Sequence, residues 1–259
     1  MRCAVLADVH GNAVALRAVL ADAVDVDAVW FLGDAVGVGP DPNECVALLA
    51  ACGAVGVAGN HDRAALGRPG AEFRAVPLLR DSNAWTRGVL SDAARAFLRA
   101  LPDRRVEGDL TLVHALPSRL PTRDDFAAFA TPYCLAGHTH VPLCSTLGAA
   151  AGPPRTWAPA PRAVLALGPE RLVANPGAVG VPGVAGLDAT YFVYEPPAGG
   201  GRGALALRRV AYDLEAVSRR HREAGQPPSL GAAWERYRRG TDEGLRRARQ
   251  TYAPWYPPA

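Results

Sequence analysis

The chain has 259 residues, 49% of them apolar and 20% charged, with a net charge of +3. That is enough to bury one sizeable core or two small ones, and it excludes a disordered tail or a collagen-like chain. All 28 basic residues are Arg, which excludes Schiff-base and phosphate-loop lysine chemistry, and the charge is too small to imply nucleic acid by itself.

Residues 2–7 (RCAVLA) predict a buried strand. This apolar run ends at Asp8, too short for a signal peptide or a membrane anchor. A helix is predicted over 13–23, a strand over 28–32, a helix over 42–52 with Pro42 in its first turn, and a strand over 54–58. Strand–helix–strand–helix–strand at this spacing implies parallel pairing with right-handed crossovers. In the middle, Ser82 begins the helical stretch SNAWTRGVL, and Ser91 caps a second that ends at Pro102. Strands follow at 105–113, 133–136, 141–146, 163–167, 171–174, 189–194 and 204–211. The expectation is an α/β fold of two mixed sheets packed together with helices outside. The Pro- and Ala-rich segment 148–162 reads as a surface loop between strands, and 196–203 (PPAGGGRG) as a flexible hairpin connection.

Residues 201–259 hold 12 Arg against 6 acidic residues, with helix candidates at 213–225, 229–240 and 241–252. These are expected to be solvated helices that clamp the core through Leu214, Val217, Trp234 and Tyr237. The alternative is a docking surface for a phosphate-rich ligand or nucleic acid, and no known nucleic-acid motif stands behind it. The expected organisation is a domain over 1–225 and an Arg-rich helical extension over 226–259 packed on it. The five Cys are odd in number and lack a CxxC pair, so reduced, mostly buried thiols and a cytoplasmic location are expected. The sequence leaves the oligomeric state open.

Chemistry concentrates in five short motifs at the ends of predicted strands: Asp8-Val9-His10, Gly33-Asp34, Gly59-Asn60-His61-Asp62, Val113-His114 and Gly137-His138-Thr139-His140. Five of the six His fall inside them, leaving His221 outside. In open α/β sheets, sites form at the carboxyl ends of strands, so the five segments are expected to converge on one rim. Imidazole together with carboxylate suits Zn, Mn, Fe or Co, whereas Mg and Ca prefer all-oxygen shells. Asp34 can bridge two ions, and Asn60 offers a neutral oxygen.

This ordered set resembles the calcineurin-like metallophosphoesterase superfamily, in particular its small prokaryotic phosphodiesterase branch, whose chains open with a DxHGN motif. Here that motif is Asp8-Val9-His10-Gly11-Asn12. The resemblance continues through GDAVGVGPDPNE (33–44), GNHD (59–62), the Asn-Ala-Trp-Thr stretch (83–86), GHTHVP (137–142) and NPGAVG (175–180). It implies a four-layer α/β/β/α sandwich of two mixed sheets with flanking helices, the metallo-dependent phosphatase fold, around two divalent ions. Mn is the expected metal, with Fe, Zn, Ni or Co as alternatives. By motif, Asp8, His10, Asp34 and His140 would hold one ion; Asp34, Asn60, His114 and His138 would hold the other. His61 matches the position that protonates the leaving group. Asn12 and Arg63, beside the motifs, are expected to contact the phosphate. In related Ser/Thr phosphatases a side chain orients the catalytic His; Gly37 stands at that position here.

The implied reaction is hydrolysis of a small phosphoester, a phosphodiester first of all, by attack of a hydroxide that bridges the two metals. Two other readings stand beside it: a non-catalytic binding scaffold of the same fold, and a phosphatase that processes nucleotides or nucleic acid. No membrane partner is expected.

Overall fold

The computed structural model describes residues 1–149, 152–181, 183–197 and 202–254, with the side chains of 244 and 245 left aside. In chain order the elements are β1 (Cys3–Leu6), α1 (Ala13–Asp22), β2 (Ala28–Phe31), α2 (Pro42–Ala51), β3 (Val55–Gly56), α3 (Asn60–Ala65), α4 (Glu72–Ala75), α5 (Pro77–Val89) and α6 (Asp92–Ala100). They continue with β4 (Arg104–Glu107), β5 (Leu110–Val113), α7 (Arg123–Ala127), β6 (Tyr133–Ala136), β7 (Pro142–Leu147), β8 (Arg155–Trp157), β9 (Val164–Ala166) and β10 (Arg171–Pro176). The last five are β11 (Ala189–Glu195), β12 (Ala204–Val210), α8 (Leu214–Glu223), α9 (Pro228–Arg238) and α10 (Glu243–Tyr252).

The strands form two six-stranded mixed sheets, ordered β3-β2-β1-β11-β12-β9 and β4-β5-β6-β10-β7-β8. As the N-terminal pattern predicts, β1, β2 and β3 are parallel neighbours. Strand β1 is buried on both faces, so it reads as one apolar run rather than an alternation. Its two faces still divide cleanly. Cys3, Val5 and Ala7 meet Trp30, Leu112, Leu135, Leu172 and Phe192 between the sheets. Ala4 and Leu6 meet Leu16, Val19, Cys45, Leu49 and Leu98 from α1, α2 and α6. On the far face of the second sheet, Val113, Cys134 and Val173 pack on Phe126 of α7 and on Phe129. Four layers result, helices–sheet–sheet–helix, the architecture implied by the motifs.

Local differences have local causes. The stretch expected as one strand over 105–113 is a hairpin: Glu107 pairs with Leu110, and Gly108 (φ 57°) with Asp109 makes the two-residue turn, a Gly-Asp signal that the single-strand reading passed over. The segment 148–162 is not wholly a loop. Residues 155–157 add β8 to the sheet edge, where Thr156 Oγ1 and Ser145 Oγ lie 3.0 Å apart; the surrounding prolines masked this strand. Residues 150–151 of that segment, and 198–201 of the expected hairpin connection, lie outside the described residues. Ser82 does not begin a helix. It is buried inside α5, which starts at Pro77, and its Oγ accepts from Val38 N at 2.7 Å. Ser91 does cap α6, accepting from Ala94 N at 3.2 Å. All five Cys are free, and all but Cys52 are buried. Among the described residues no helix is long and apolar enough to cross a membrane.

In the C-terminal segment, Val217 and Trp234 are buried, while Leu214 and Tyr237 are partly covered. α9 packs on α5. Tyr252, near the end of α10, is 1% exposed against Val141 and Leu143.

The inter-sheet layer is the largest apolar interior shared by both sheets, and Leu135 sits fully buried within it. Leu135→Ala is expected to destabilise the fold by about 2–5 kcal/mol. Urea unfolding should show this as a lower midpoint with an unchanged slope.

Candidate metal centre

Each motif lies where a strand stops. Asp8 follows β1, Gly33-Asp34 follows β2, Asn60 opens α3 just beyond β3, His114 follows β5, and His138–His140 fill the turn from β6 to β7. The first three segments come from one sheet and the last two from the other, so the side chains meet across the seam. Bonds between the sheets hold that seam shut: His138 N donates to Asp8 Oδ2 at 2.9 Å, and His114 Nδ1 donates to the Leu32 carbonyl at 2.8 Å.

The chelating atoms gather into three overlapping groups, Asp8–His10–His140, His10–Asp34–His61 and Asp8–Asp34–His114. Within each group the atoms lie within 4.8 Å of one another. His10 Nε2 is 2.9 Å from His140 Nε2 and 3.7 Å from Asp34 Oδ2; His140 Nε2 is 3.5 Å from Asp8 Oδ1. On the other side, His114 Nε2 is 3.3 Å from Asp34 Oδ2 and 2.9 Å from Asn60 Oδ1. The His138 ring stands edge-on to His114, with centroids 5.1 Å apart. Asp34 thus belongs to both halves of the cluster. Asp8, His10 and Asp34 are at most 1% exposed, whereas His138 is exposed and His140 partly so, so the open side of the centre lies over the 138–140 turn.

The backbone is strained where these ligand positions lie. Asp8 (φ 56°), His10 (49°), Asp34 (60°), His138 (71°) and His140 (59°) all occupy the left-handed region. Each costs of order 1–3 kcal/mol and persists only where the surroundings over-determine it. They do: Asp8 N donates to Gly33 O at 3.0 Å, His10 N to Asp34 O at 2.8 Å, and Gly180 N to Asp8 O at 2.9 Å. Asn175, from the NPGAVG motif, steadies the 137–140 turn through its amide, which donates to Gly137 O at 2.6 Å and Thr139 Oγ1 at 3.1 Å. Asp62, fully buried, accepts three backbone amides: Asp34 N at 2.8 Å, Gly59 N at 2.9 Å and Val36 N at 3.3 Å. Gly59 has room for no side chain, because a Cβ there would lie 2.0 Å from Asp34 Oδ1.

The electrostatics follow from burying two carboxylates beside several imidazoles. Burial would raise Asp34, but the charge of His114 and His61 and the hydrogen bond from His114 hold it well below the ordinary carboxylate range. Burial opposes the His114 cation; the charge and hydrogen bond of Asp34, with Asp8 and Leu32 O, outweigh it and push His114 up to about 10. Burial and the neighbouring His61 pull His10 well below the ordinary imidazole value. Burial lowers His61 too, partly offset by Asp34. Burial and the Asp34 charge push Asp62 up to about 7, against the Gly59 and Val36 amides and the charge of His114.

This donor set fits divalent cations. Asp8 Oδ1 and His10 Nδ1 are buried without a hydrogen-bond partner, and His10 Nε2 and His140 Nε2 converge to 2.9 Å, where both can offer lone pairs to one ion when each ring carries its proton on Nδ1. His114 Nδ1 is committed to a carbonyl, which fixes the tautomer that leaves Nε2 for a metal.

His61 sits at the edge of the cluster, 9% exposed, its ring edge-on to His10 at 4.7 Å and to Phe73 of α4 at 4.8 Å. Its backbone N donates to Asp34 Oδ1 at 2.8 Å. The two residues expected to contact phosphate, Asn12 and Arg63, have the following protein partners. Asn12 is buried: its Oδ1 caps α1 by accepting from Ala15 N at 3.0 Å, and its Nδ2 donates to Gly180 O at 2.9 Å. Both polar groups are engaged because Asn is a strong helix cap. Arg63 forms an ion pair with Asp103. Asp62, Asn175 and Phe73 were not singled out by the sequence analysis. Asp62 and Asn175 lay inside quoted motifs, but nothing local signals that one side chain will bind three backbone amides; Phe73 carries no motif at all.

Asp62→Ala would leave three buried amides unpaired at the strained turn that carries Asp34. A loss of about 3 kcal/mol or more is expected, read as a melting temperature lower by about 6–12 °C.

The family model for the calcineurin-like phosphoesterase superfamily domain matches residues 1–196. A crystal structure of a metallophosphoesterase from Sphaerobacter thermophilus is similar with a TM-score of 0.78 and 37% identity, covering 92% of this chain and 100% of that one. An uncharacterized protein of Methanocaldococcus jannaschii is 31% identical over 160 residues, which are 55% of this chain and 64% of the relative's length. The motifs, the two six-stranded sheets and the ligand cluster at their seam thus find their place in a known family, and the chain belongs to the calcineurin-like phosphoesterase superfamily.

Proposed function

We propose that the chain is a phosphodiesterase that hydrolyses a small phosphoester at a centre for two divalent ions, with Mn as the working metal. The observation that carries this reading is Asp34, which stands between the Asp8–His10–His140 side and the His114–Asn60 side of one continuous cluster. Asp8, His10, Asp34 and His140 would hold one ion, and Asp34, Asn60, His114 and His138 the other. When bound, the ions would supply Lewis acidity toward the phosphoryl oxygens and an acidified water as nucleophile.

The remaining tasks fall to the chain itself. His61 is the proton donor to the leaving oxygen, since it adjoins the cluster without being needed to complete either ligand set. Its ring packs on Phe73 and on the Gly37 backbone, and no side chain among the described residues hydrogen-bonds its nitrogens, which leaves them open to exchange a proton. The buried Asp8 and Asp34 hold the cation charge in place, and the open side over His138 and His140 admits the phosphoester. With no Lys in the chain, charge on phosphorus is met by the ions, by imidazole and by Arg alone.

Turnover of a chromogenic phosphodiester is expected to vanish after chelation and return with Mn²⁺. Undiminished turnover in chelator would sink the proposal. The corresponding monoester tests the diester preference: faster turnover of the monoester makes the enzyme a phosphomonoesterase. His61→Ala should retain bound metal while kcat falls by roughly 10²–10⁴-fold; an unchanged kcat removes His61 from the proton-donor role.

A further inference from the structure

The loop from Gly33 to Asp41 carries Asp34 and then turns under His61. A Cβ on Gly37 would lie 2.4 Å from His61 Nδ1, so the backbone at Gly37 (φ 90°) is itself the wall on which the imidazole rests. Among the described residues no side chain hydrogen-bonds the His61 ring; its ring contacts are the edges of His10 and Phe73. The orientation of His61 therefore depends on where the 37–39 backbone is held.

That backbone is strained. Val38 is β-branched and has φ 64°, a combination that costs energy and needs external support. Three groups supply it. Ser82 Oγ accepts from Val38 N at 2.7 Å, and Gly39 N donates to His10 O at 2.8 Å. The third is remote: Gln226, between α8 and α9, donates from one amide nitrogen to both Val38 O and Gly39 O, each at 3.0 Å. Two carbonyls can accept only, so the amide must present its NH₂ to the loop.

His221 fixes that choice. Its Nδ1 lies 2.6 Å from Gln226 Oε1, so Nδ1 carries the proton and donates. The His221 ring is 6% exposed and stacks on Trp234 of α9 at 5.7 Å. The one histidine outside the motifs thus sits at the far end of a chain of contacts: His221 to Gln226, Gln226 to Val38 and Gly39, and Gly37 to His61.

We propose that Gln226, oriented by His221, is a positioning residue for His61, so that the C-terminal segment takes part in the chemistry of the site. This rests on reading His61 as the proton donor. The test compares Gln226→Met, which keeps length and loses both donated bonds, with two changes at His221. His221→Asn keeps a donor nitrogen the same number of bonds from Cβ as Nδ1, whereas His221→Phe keeps the ring and loses the donor. Two readouts are taken: kcat, KM and metal content with Mn²⁺ on the chromogenic phosphodiester, and the ¹⁵N imidazole resonances of His61 in metal-free and Zn²⁺-loaded protein.

Gln226→Met and His221→Phe are expected to lower kcat roughly 10–100-fold, with KM and metal content unchanged, and to shift or broaden the His61 resonances. His221→Asn should retain wild-type kcat. Unmoved His61 resonances in Gln226→Met overturn the inference, as does a fall in kcat that only tracks metal loss. If Gln226→Met does not fold, the His221 pair decides: equal behaviour of Asn and Phe overturns it. If the wild type hydrolyses no phosphoester, the proposed function fails, and the His61 resonances still report whether Gln226 holds the ring.

Discussion

Two carboxylates, Asp8 and Asp34, lie fully buried at the seam between the sheets, and much of the structure answers to that fact. A carboxylate cannot be taken out of water without a compensating positive charge or a set of donors. Here the donors are partly backbone: His138 N on Asp8 and His61 N on Asp34. The positive charge is supplied by imidazole or by bound cations, and the raised His114 beside the lowered Asp34 marks a site that attracts positive charge in either form. The five left-handed residues belong to the same account, because pointing side chains from separate strand ends at one place demands sharp turns.

A second layer holds this strained geometry in position. Asp62 ties three amides of the Asp34 turn, Asn175 ties the 137–140 turn, and the loop that follows Asp34 is gripped by Ser82 from α5 and Gln226 from the C-terminal segment. None of these residues belongs to the chelating groups, and all are nearly inaccessible to solvent. Their distribution along the chain explains why an Arg-rich tail of modest apolar content is nonetheless bound to the body. Arg220 of α8 pairs with Asp41, at the end of the loop that Gln226 holds, and with Glu44 in the first turn of α2. The local excess of Arg is in part met by carboxylates of the N-terminal half, so charge that looks unbalanced along the sequence is balanced across the fold.

The legible part of the molecule was the part with short-range physics. Strand–helix alternation over 2–58 and the turn glycines before Asp34 and Asn60 could be read directly, because periodicity and turn chemistry are local. The hairpin at Gly108 and strand β8 were missed: the first turns on a single Gly-Asp pair between strands of only four residues each, and the second lay among prolines. Asn12 shows a different limit. Its side chain caps α1, which the sequence around it signals, and also holds Gly180, a residue 168 positions away, which no local pattern encodes. Arg63 likewise meets Asp103.

By itself the sequence determined which chemistry is available: five histidines, two buried carboxylates and one asparagine at strand ends, in a chain without lysine. Residue type and local turn geometry are enough for that, since a donor atom is set by its side chain and a strand end by a few neighbours. Only the tertiary structure decided how closely the donors approach one another across the seam, and that His61 rests on the bare backbone of Gly37. It also gave a place to the sixth histidine. The reason is that the grouping of atoms from opposite sheets depends on how the sheets meet, and the hold of residue 226 on residues 38 and 39 is a contact across most of the chain that no local pattern encodes.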